Sequence, residues 1–290
     1  MTLEQLRIFV TVAKTLNMRV AAERLCLTQP AVSAAVAALE AKYGIKLFDR
    51  IGRSLELNEM GRAFLPDAHR VLATMSNAIQ TIEDISGLVR GKLRVVASQT
   101  VASYWLPQRL ARFASHYPDI ELELRLGNTA QATTVVLTGE ADLGFVEGYV
   151  DEASLVREKV GSDGFGFYSA PGHSLTIHSL SRVALMEAQW VLREEGSGTR
   201  NHLETCLRTG FDLDLSDLTV RLVLPSNDAV MEAVSESELI TAVSHLAAAP
   251  RVRAGIIQAL DSTSFKRDFY MLRHRSRRMG RAAEAFLHFI

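Results

Sequence analysis

Residues 18–50 read MRVAAERLCLTQPAVSAAVAALEAKYGIKLFDR, and the fold of the N-terminus follows from them. Val20, Ala21 and Leu25 mark one helical face, and Val32, Val36 and Leu39 mark another at i, i+4, i+7 spacing. Between them Cys26-Leu27-Thr28 is a tight turn. Thr28 is placed to cap the second helix, and Pro30 falls in its first turn, where a missing N–H costs nothing. Two short helices joined this way, here over about residues 18–37, put the start of the second helix in a DNA major groove. Gly44 is placed to stop that helix. Lys46–Arg50 and Leu55–Leu57 then read as two strands around Gly52-Arg53-Ser54, a basic wing suited to phosphates or the adjacent minor groove. Upstream, Leu3, Leu6, Phe9, Val10 and Ala13 line an amphipathic first helix that packs under the pair.

The second helix presents Gln29, Ser33, Ala37 and Glu40 opposite its apolar face. Gln29 suits a bidentate pair with adenine, Ser33 either a base or a phosphate, and alanine methyls the thymine methyl. Alanine fills much of this helix, so shape and backbone contacts are expected to carry much of the specificity. Charge fits the same reading. Residues 1–58 hold eight basic side chains against five acidic ones, and residues 265–290 hold seven against two, although the net charge is −1. Basic ends on an acidic body suit a nucleic-acid-contacting N-terminus, although charge runs also belong to any solvated face.

Asn58 is placed to cap a long helix with Glu59 in its first turn. Along it Phe64, Ala68, Val71, Met75, Ala78, Ile82 and Ile85 alternate spacings of four and three, an a/d heptad. Such a seam either packs on its own domain or pairs two chains. A helix isolated between domains needs a partner, so residues 59–87 are expected to form a dimerisation helix ended by Gly87 and Gly91. From Lys92 the period changes. Leu93–Ala97, Ile120–Leu126, Leu143–Val146, Val191–Leu192 and Val220–Leu224 are strand-like, with helical patterns at Tyr104–His116, Ala130–Thr138, Gly198–Thr209 and Asp228–Ser235. This alternation predicts parallel sheets covered on both faces. The chain leaves one sheet around Leu155–Ser162 and returns near Ser264–Asp268, before a strand at Phe269–Leu272 and a closing helix at Met279–Ile290. The expected domains are 1–58, 59–87 and 92–290, the last with one lobe over 92–161 and 266–290 and another over 162–265.

Glu195-Gly196-Ser197-Gly198-Thr199-Arg200 follows the strand Trp190-Val191-Leu192 and opens a helix. Free backbone N–H groups, hydroxyls and the helix dipole suit an anion, although a plain capped helix start has the same residues. No Gly-Lys-Ser/Thr follows at P-loop spacing. Ser98-Gln99-Thr100, Gly127-Asn128-Thr129 and Pro225-Ser226-Asn227 close three other strands, and Glu147 a fourth. Singly each is a turn or an N-cap. Together, at strand C-termini of a two-lobed α/β body, they converge where a small polar ligand binds. The candidate ligand-binding set is therefore Ser98, Gln99, Thr100, Asn128, Thr129, Glu147, Ser197, Thr199, Arg200 and Asn227.

Catalysis finds little support. The eight histidines include no pair at metal-ligand spacing beside a carboxylate or cysteine, and no nucleophile elbow is present. No catalytic residue, metal or cofactor is expected. Cys26 and Cys206 form no disulfide or ligand pattern and read as buried thiols of a reducing cytoplasm. No apolar stretch approaches the ~18–20 residues of a membrane span, and the start lacks a signal-peptide core, so a cytoplasmic protein is expected.

Ala21-Ala22-Glu23-Arg24-Leu25, Thr28-Gln29-Pro30-Ala31-Val32-Ser33, Leu39-Glu40, Gly44, Leu47-Phe48-Asp49-Arg50 and Gly61 together resemble the LysR-type transcriptional regulators, and the likeness runs over essentially the full chain. Gly196-Ser197-Gly198-Thr199-Arg200 resembles the branch that regulates carbon dioxide fixation and sulfite metabolism. The resemblance implies a winged helix-turn-helix, a linker helix pairing two chains, and a two-lobed effector domain like periplasmic binding proteins. It implies double-stranded promoter DNA and a small-molecule effector as partners, and a homodimer that commonly assembles to a tetramer. On the family pattern Gln29, Pro30, Ser33 and Arg53 contact DNA, beside Thr28 and Arg50; Ser98, Thr100, Asn128, Ser197, Thr199 and Asn227 line the effector cleft. One departure is that Ser237-Glu238-Leu239 stands where the family often has a glycine-leucine-glycine turn. Glu194, Glu195, Glu236 and Glu238 near an anion site favour a zwitterionic or cationic effector or a weakened site, unless they face solvent. Two other classes share the two-lobed fold. A solute-binding protein has no use for residues 1–58, and an enzyme needs a titratable pair, for which Arg200 with Glu147 or Glu195 is the best candidate.

Overall fold

Helix α1 (Leu3–Thr15) starts on a reciprocal cap, in which the Thr2 hydroxyl accepts from the Gln5 N–H and the Gln5 side chain accepts from the Thr2 N–H. It buries Leu6, Ile8, Phe9, Val10 and Val12, whereas Leu3, expected on that face, is exposed because core contacts begin one turn later. Asn17 caps α2 (Met18–Leu25) by accepting from the Arg19 and Val20 N–H groups. The chain turns at Cys26 in the left-handed region (φ 55°), and α3 (Gln29–Tyr43) begins where the Thr28 hydroxyl accepts from the Ala31 N–H. Gly44, at φ 66°, ends α3. Val32, Val36 and Leu39 are buried as their spacing predicts; on α2 the fully buried pair is Ala21 and Ala22. Cys26 is exposed, correcting the expected buried thiol, because the turn residue between two helices faces away from their shared core.

The wing is the antiparallel hairpin β1 (Phe48–Ile51) and β2 (Ser54–Leu57), with Arg50 opposite Leu55. It starts two residues later than the expected Lys46, because the Leu47 N–H is bonded to the Glu40 carboxylate and not to a strand. Helix α4 (Glu59–Ile85) starts at Asn58, whose Oδ1 accepts from the Gly61 N–H at 2.9 Å. Its seam divides. Phe64 and Ala68 pack into the α1–α3 core, Phe64 with its ring centroid 5.2 Å from that of Phe9, whereas Val71, Met75, Ala78 and Ile82 are exposed.

The computed structural model describes all residues except 53, 86–90, 149, 178–179 and 261–264. Arg53, a candidate DNA contact, and Gly87, an expected helix end, lie outside the described residues. The chain forms two units, Met1–Ser86 with Thr138–Glu140, and Gly87–Leu137 with Ala141–Ile290. The second unit runs β3 (Gly91–Ser98), α5 (Leu106–His116), β4 (Ile120–Gly127), α6 (Thr129–Thr138), β5 (Leu143–Glu147) and β6 (Leu155–Ser169). It continues with α7 (Arg182–Glu187), β7 (Gln189–Arg193), α8 (Gly198–Phe211), β8 (Thr219–Leu224), α9 (Asn227–Ser235), β9 (Leu239–Ser244) and α10 (His245–Arg253). The last elements are β10 (Gln258–Ala259), β11 (Phe265–His274) and α11 (Arg281–Phe289).

Among the described residues the strand order is β4-β3-β5-β11-β6-β9-β7-β8, with β10 on β6. The outer strands are parallel, β3 with β4 and β5, β7 with β8 and β9, as the alternation predicts. The centre is antiparallel. Strands β6 and β11 pair along their length, from Phe265 opposite Phe165 to His274 opposite Leu155, with a bulge between Phe269 and Tyr270. What reads in sequence as two crossings between sheets is thus two continuous strands. One end of this pair carries β5 and the other β9, so the strands serve two cores. Trp105, Phe113, Phe145, Phe269 and Phe286 fill one; Phe165, Phe167, Trp190, Leu203 and Leu207 fill the other. Strand β9 and α10, absent from the sequence reading, are hidden there by the polar run Ser235–Glu238 and by Pro250 inside the helix. No helix among the described residues is long and apolar enough to cross a membrane.

Candidate functional site

In the first unit α2, α3 and the wing border an open groove of about 770 Å³, lined by Asn17, Arg19, Gln29, Arg50, Ser54 and Glu56. Gln29 is exposed at the start of α3, and Arg50 extends from β1 on the same groove. Ser33, half-buried, borders an adjoining hollow with Ala37, Lys46 and Arg50. Gln29, Ser33 and Arg50 are thus brought together. Thr28 spends its hydroxyl on the α3 cap, and Pro30 is exposed in the first turn. Glu40, placed by sequence on the reading face, is instead 7% exposed and bonded to the wing backbone. Asn17 and Arg19 lie outside the residues expected from sequence, although an Asn cap followed by a cation at a helix start marks them.

In the second unit the strand ends meet. Asn227, the first residue of α9, is fully buried: its N–H donates to Gln99 Oε1 (2.7 Å), its Nδ2 to Thr100 Oγ1 (3.0 Å), and its Oδ1 accepts from Arg193 Nη1 (2.7 Å). Gln99 and Thr100 follow β3, so these bonds join the two lobes directly. Arg193 also forks onto the Glu194 carboxylate (2.8 and 3.0 Å), whose other contact is Asn128 Nδ2 at 3.5 Å. Arg200 Nη1 donates to the Arg193 carbonyl at 3.2 Å.

Alongside, Ser98 donates its hydroxyl to the Glu147 carboxylate, and Thr129 donates to the Glu147 carbonyl at 3.2 Å. A Cβ on Gly198 would lie 2.6 Å from that carbonyl oxygen and from Thr129 Oγ1, so only glycine lets α8 start this close to β5 and α6. Arg267 is 1% exposed. It forks onto Asp163 (3.1 and 2.9 Å), reaches Thr199 Oγ1 at 3.4 Å and lies 3.8 Å from Glu147 Oε1, its guanidinium over the Phe165 and Phe269 rings. Ser197 is buried but its side chain makes no cap bond. Glu195, Glu236 and Glu238 are exposed, and Glu194 is matched by Arg193, so three of the four acids face solvent.

Arg193, Arg267 and Asp163 stand outside the residues expected from sequence. Arg193 closes a strand just as Ser98 does, which was a usable signal. Arg267 alternates with Phe265 and Phe269 on one strand face, a buried-face pattern hidden by its neighbour Lys266. Next to Arg267, the His202 ring stands edge-on to Phe165, its Nε2 without a hydrogen-bond partner among the described residues; burial and then the Arg267 charge push its pKa down to about 4. Burial pushes the Cys206 thiol up to about 12, so it stays protonated at neutral pH.

Residues 3–62 match the family model of the bacterial regulatory helix-turn-helix protein, lysR family, and residues 86–290 match the LysR substrate binding domain. The chain belongs to the LysR family. This LysR-type chain is a sequence-specific DNA-binding transcriptional regulator with an effector-binding domain. It is 32% identical over 288 residues to the HTH-type transcriptional regulator YeiE of Escherichia coli (strain K12), covering 99% of this chain and 96% of that one. It is 29% identical over 294 residues to the RuBisCO operon transcriptional regulator of Allochromatium vinosum, covering 100% and 95%. Among solved structures, full-length CbnR complexed with its target DNA has the same fold, with a TM-score of 0.70 at 22% identity, covering 100% of this chain and 99% of that one.

Proposed function

We propose that this LysR-type chain binds pseudo-palindromic promoter DNA as a homodimer and that a small polar molecule held between the lobes modulates the binding. In this reading the domains are 1–58, 59–87 and 92–290, Gln29 and Ser33 read bases, and Arg50, with Arg53, meets phosphates. The single observation that carries the effector reading is Asn227. It is fully buried and bonded across the lobes to Gln99 and Thr100, both at the strand C-termini where ligands bind in such folds. A ligand entering there must supply a donor and an acceptor in place of those bonds, and its binding then changes how the lobes meet. It shifts the DNA-binding equilibrium only by its difference in affinity between the two arrangements.

The exposed run Val71, Met75, Ala78 and Ile82 supports pairing of two chains through α4, with a tetramer as the further assembly. Met75→Glu is expected to yield monomers in sedimentation velocity, and an unchanged dimer overturns that pairing. The RuBisCO regulators among the relatives support the carbon dioxide fixation side of the branch that also regulates sulfite metabolism, and a cytoplasmic location goes with promoter DNA as target. Competition binding tests the whole: Gln29→Ala is expected to lose ~1–3 kcal/mol of selectivity at one base position. Equal losses on cognate and scrambled duplex refute the readout role. A thermal-shift screen with small anions, amino acids and sugar phosphates, repeated on Thr100→Val, tests the cleft, since selective binding must stabilise the folded unit.

A further inference from the structure

The carboxylate of Glu40 is buried although it belongs to the helix that carries Gln29 and Ser33. Its Oε1 accepts from the Leu47 N–H at 2.8 Å and the Phe48 N–H at 3.4 Å, and its Oε2 from Lys46 Nζ at 2.8 Å. The same short segment is held from the other side. The Leu47 carbonyl accepts from the Asn58 N–H at 3.2 Å, the Lys46 carbonyl from Asn58 Nδ2 at 3.0 Å, and a Cβ on Gly61 would lie 2.2 Å from the Leu47 oxygen. Lys46–Phe48 is therefore clamped between α3 and the start of α4. Phe48 opens the wing, and two residues on stands Arg50.

We propose that Glu40 is a positioning residue for DNA binding, holding the wing cation Arg50 at a set offset from the reading end of α3. A hairpin of two four-residue strands is marginal alone, so its placement depends on what ties it down. Charge-assisted N–H to carboxylate bonds are the strong ties available, and burial shields them from salt. Recognition helix and wing then close on the duplex as one rigid jaw. The proposal rests on the reading that Arg50 meets phosphate.

Salt titration of DNA binding by the full chain, followed by fluorescence anisotropy on a promoter fragment, tests it. Each lost phosphate contact lowers the slope of log K against log salt by ~0.9 and the affinity at ~0.15 M salt by about fivefold. Glu40→Gln keeps one oxygen acceptor for the Leu47 and Phe48 N–H groups but loses the charge and the Lys46 pair, so its slope is expected to fall between those of wild type and Glu40→Ala. Glu40→Asp, one methylene short, and Glu40→Ala are expected to lose about one contact per protomer, as is Arg50→Ala. Arg50→Ala added to Glu40→Asp is expected to change nothing more. A fold defect alone lowers the active fraction and leaves the slope unchanged; should Glu40→Ala not fold, Glu40→Asp carries the test. A wild-type slope in Glu40→Asp, or additive losses in the double variant, overturns the positioning role while the wing reading stands. An unchanged slope in Arg50→Ala overturns the wing reading and the positioning role with it.

Discussion

Replacing Arg267 by Met removes the one guanidinium that the buried Asp163 carboxylate forks against, at 3.1 and 2.9 Å. The Asp163 side chain is 2% exposed, so the charge left behind cannot turn to water; among the described residues its remaining partner is the Ser244 hydroxyl. Glu147, 3.8 Å from the guanidinium, loses that cation as well. Removing one member of a buried pair costs about 3–5 kcal/mol, because the other charge stays desolvated and unmatched. Against the ~5–15 kcal/mol that holds a typical domain together, this is a large fraction. Asp163→Asn added to Arg267→Met removes the stranded charge and keeps an acceptor for Ser244, so at least half of the loss is expected to return. Urea unfolding at pH 7 followed by tryptophan fluorescence reads the right unit, since Trp105 and Trp190, the chain's two tryptophans, both lie in the effector unit. With a slope of ~2–3 kcal/mol per M the midpoint of Arg267→Met should fall by about 1–2 M. A fall under ~0.3 M, or a double variant less stable than Arg267→Met, refutes the claim that this pair is structurally decisive.

His202 is held neutral with its pKa pushed down to about 4 by burial and by Arg267, whereas unfolded it titrates near 6.5. As pH falls from about 6.5 toward 4 the unfolded chain takes the proton first, so stability present above that window is lost across it. The urea midpoint of His202→Gln should therefore decline less than wild type between neutral pH and that lower limit; parallel declines contradict this. Gly61→Ala places a Cβ 2.2 Å from the Leu47 oxygen and 2.7 Å from Leu57 Cδ1, where backbone has to move. An overpacking cost of ~1–3 kcal/mol is expected, seen as faster amide exchange at the start of α4 and weaker DNA binding. Wild-type exchange there rules out the close packing.

The helix-turn-helix was legible because its signals are local. Caps at Thr28 and Asn58, a stop at Gly44 and a 3.6-residue apolar period act within a few residues of chain, so α2, α3 and α4 follow from neighbours alone. Strand-end polar residues were legible for the same reason: Ser98, Thr129 and Asn227 each sit where an apolar run stops. Local rules also located β6 and β11 but misjudged their course, since nothing within Leu155–Ser162 tells a chain to continue in one strand beside a segment more than a hundred residues away.

Pairing over that distance settled what each charge does. Glu40 reads as a surface acid on a helix face until the wing folds back and presents two N–H groups to it. Arg267 reads as part of a basic run until Asp163 arrives from the opposite strand and Phe165 and Phe269 close over it. The exposed stretch of α4 is the converse case, in which the a/d period was plain but its division between core and open seam depended on where the first unit's core ends. Period and capping are properties of adjacent residues, whereas desolvation and charge matching belong to whatever the fold brings alongside, and no stretch of chain carries that information alone.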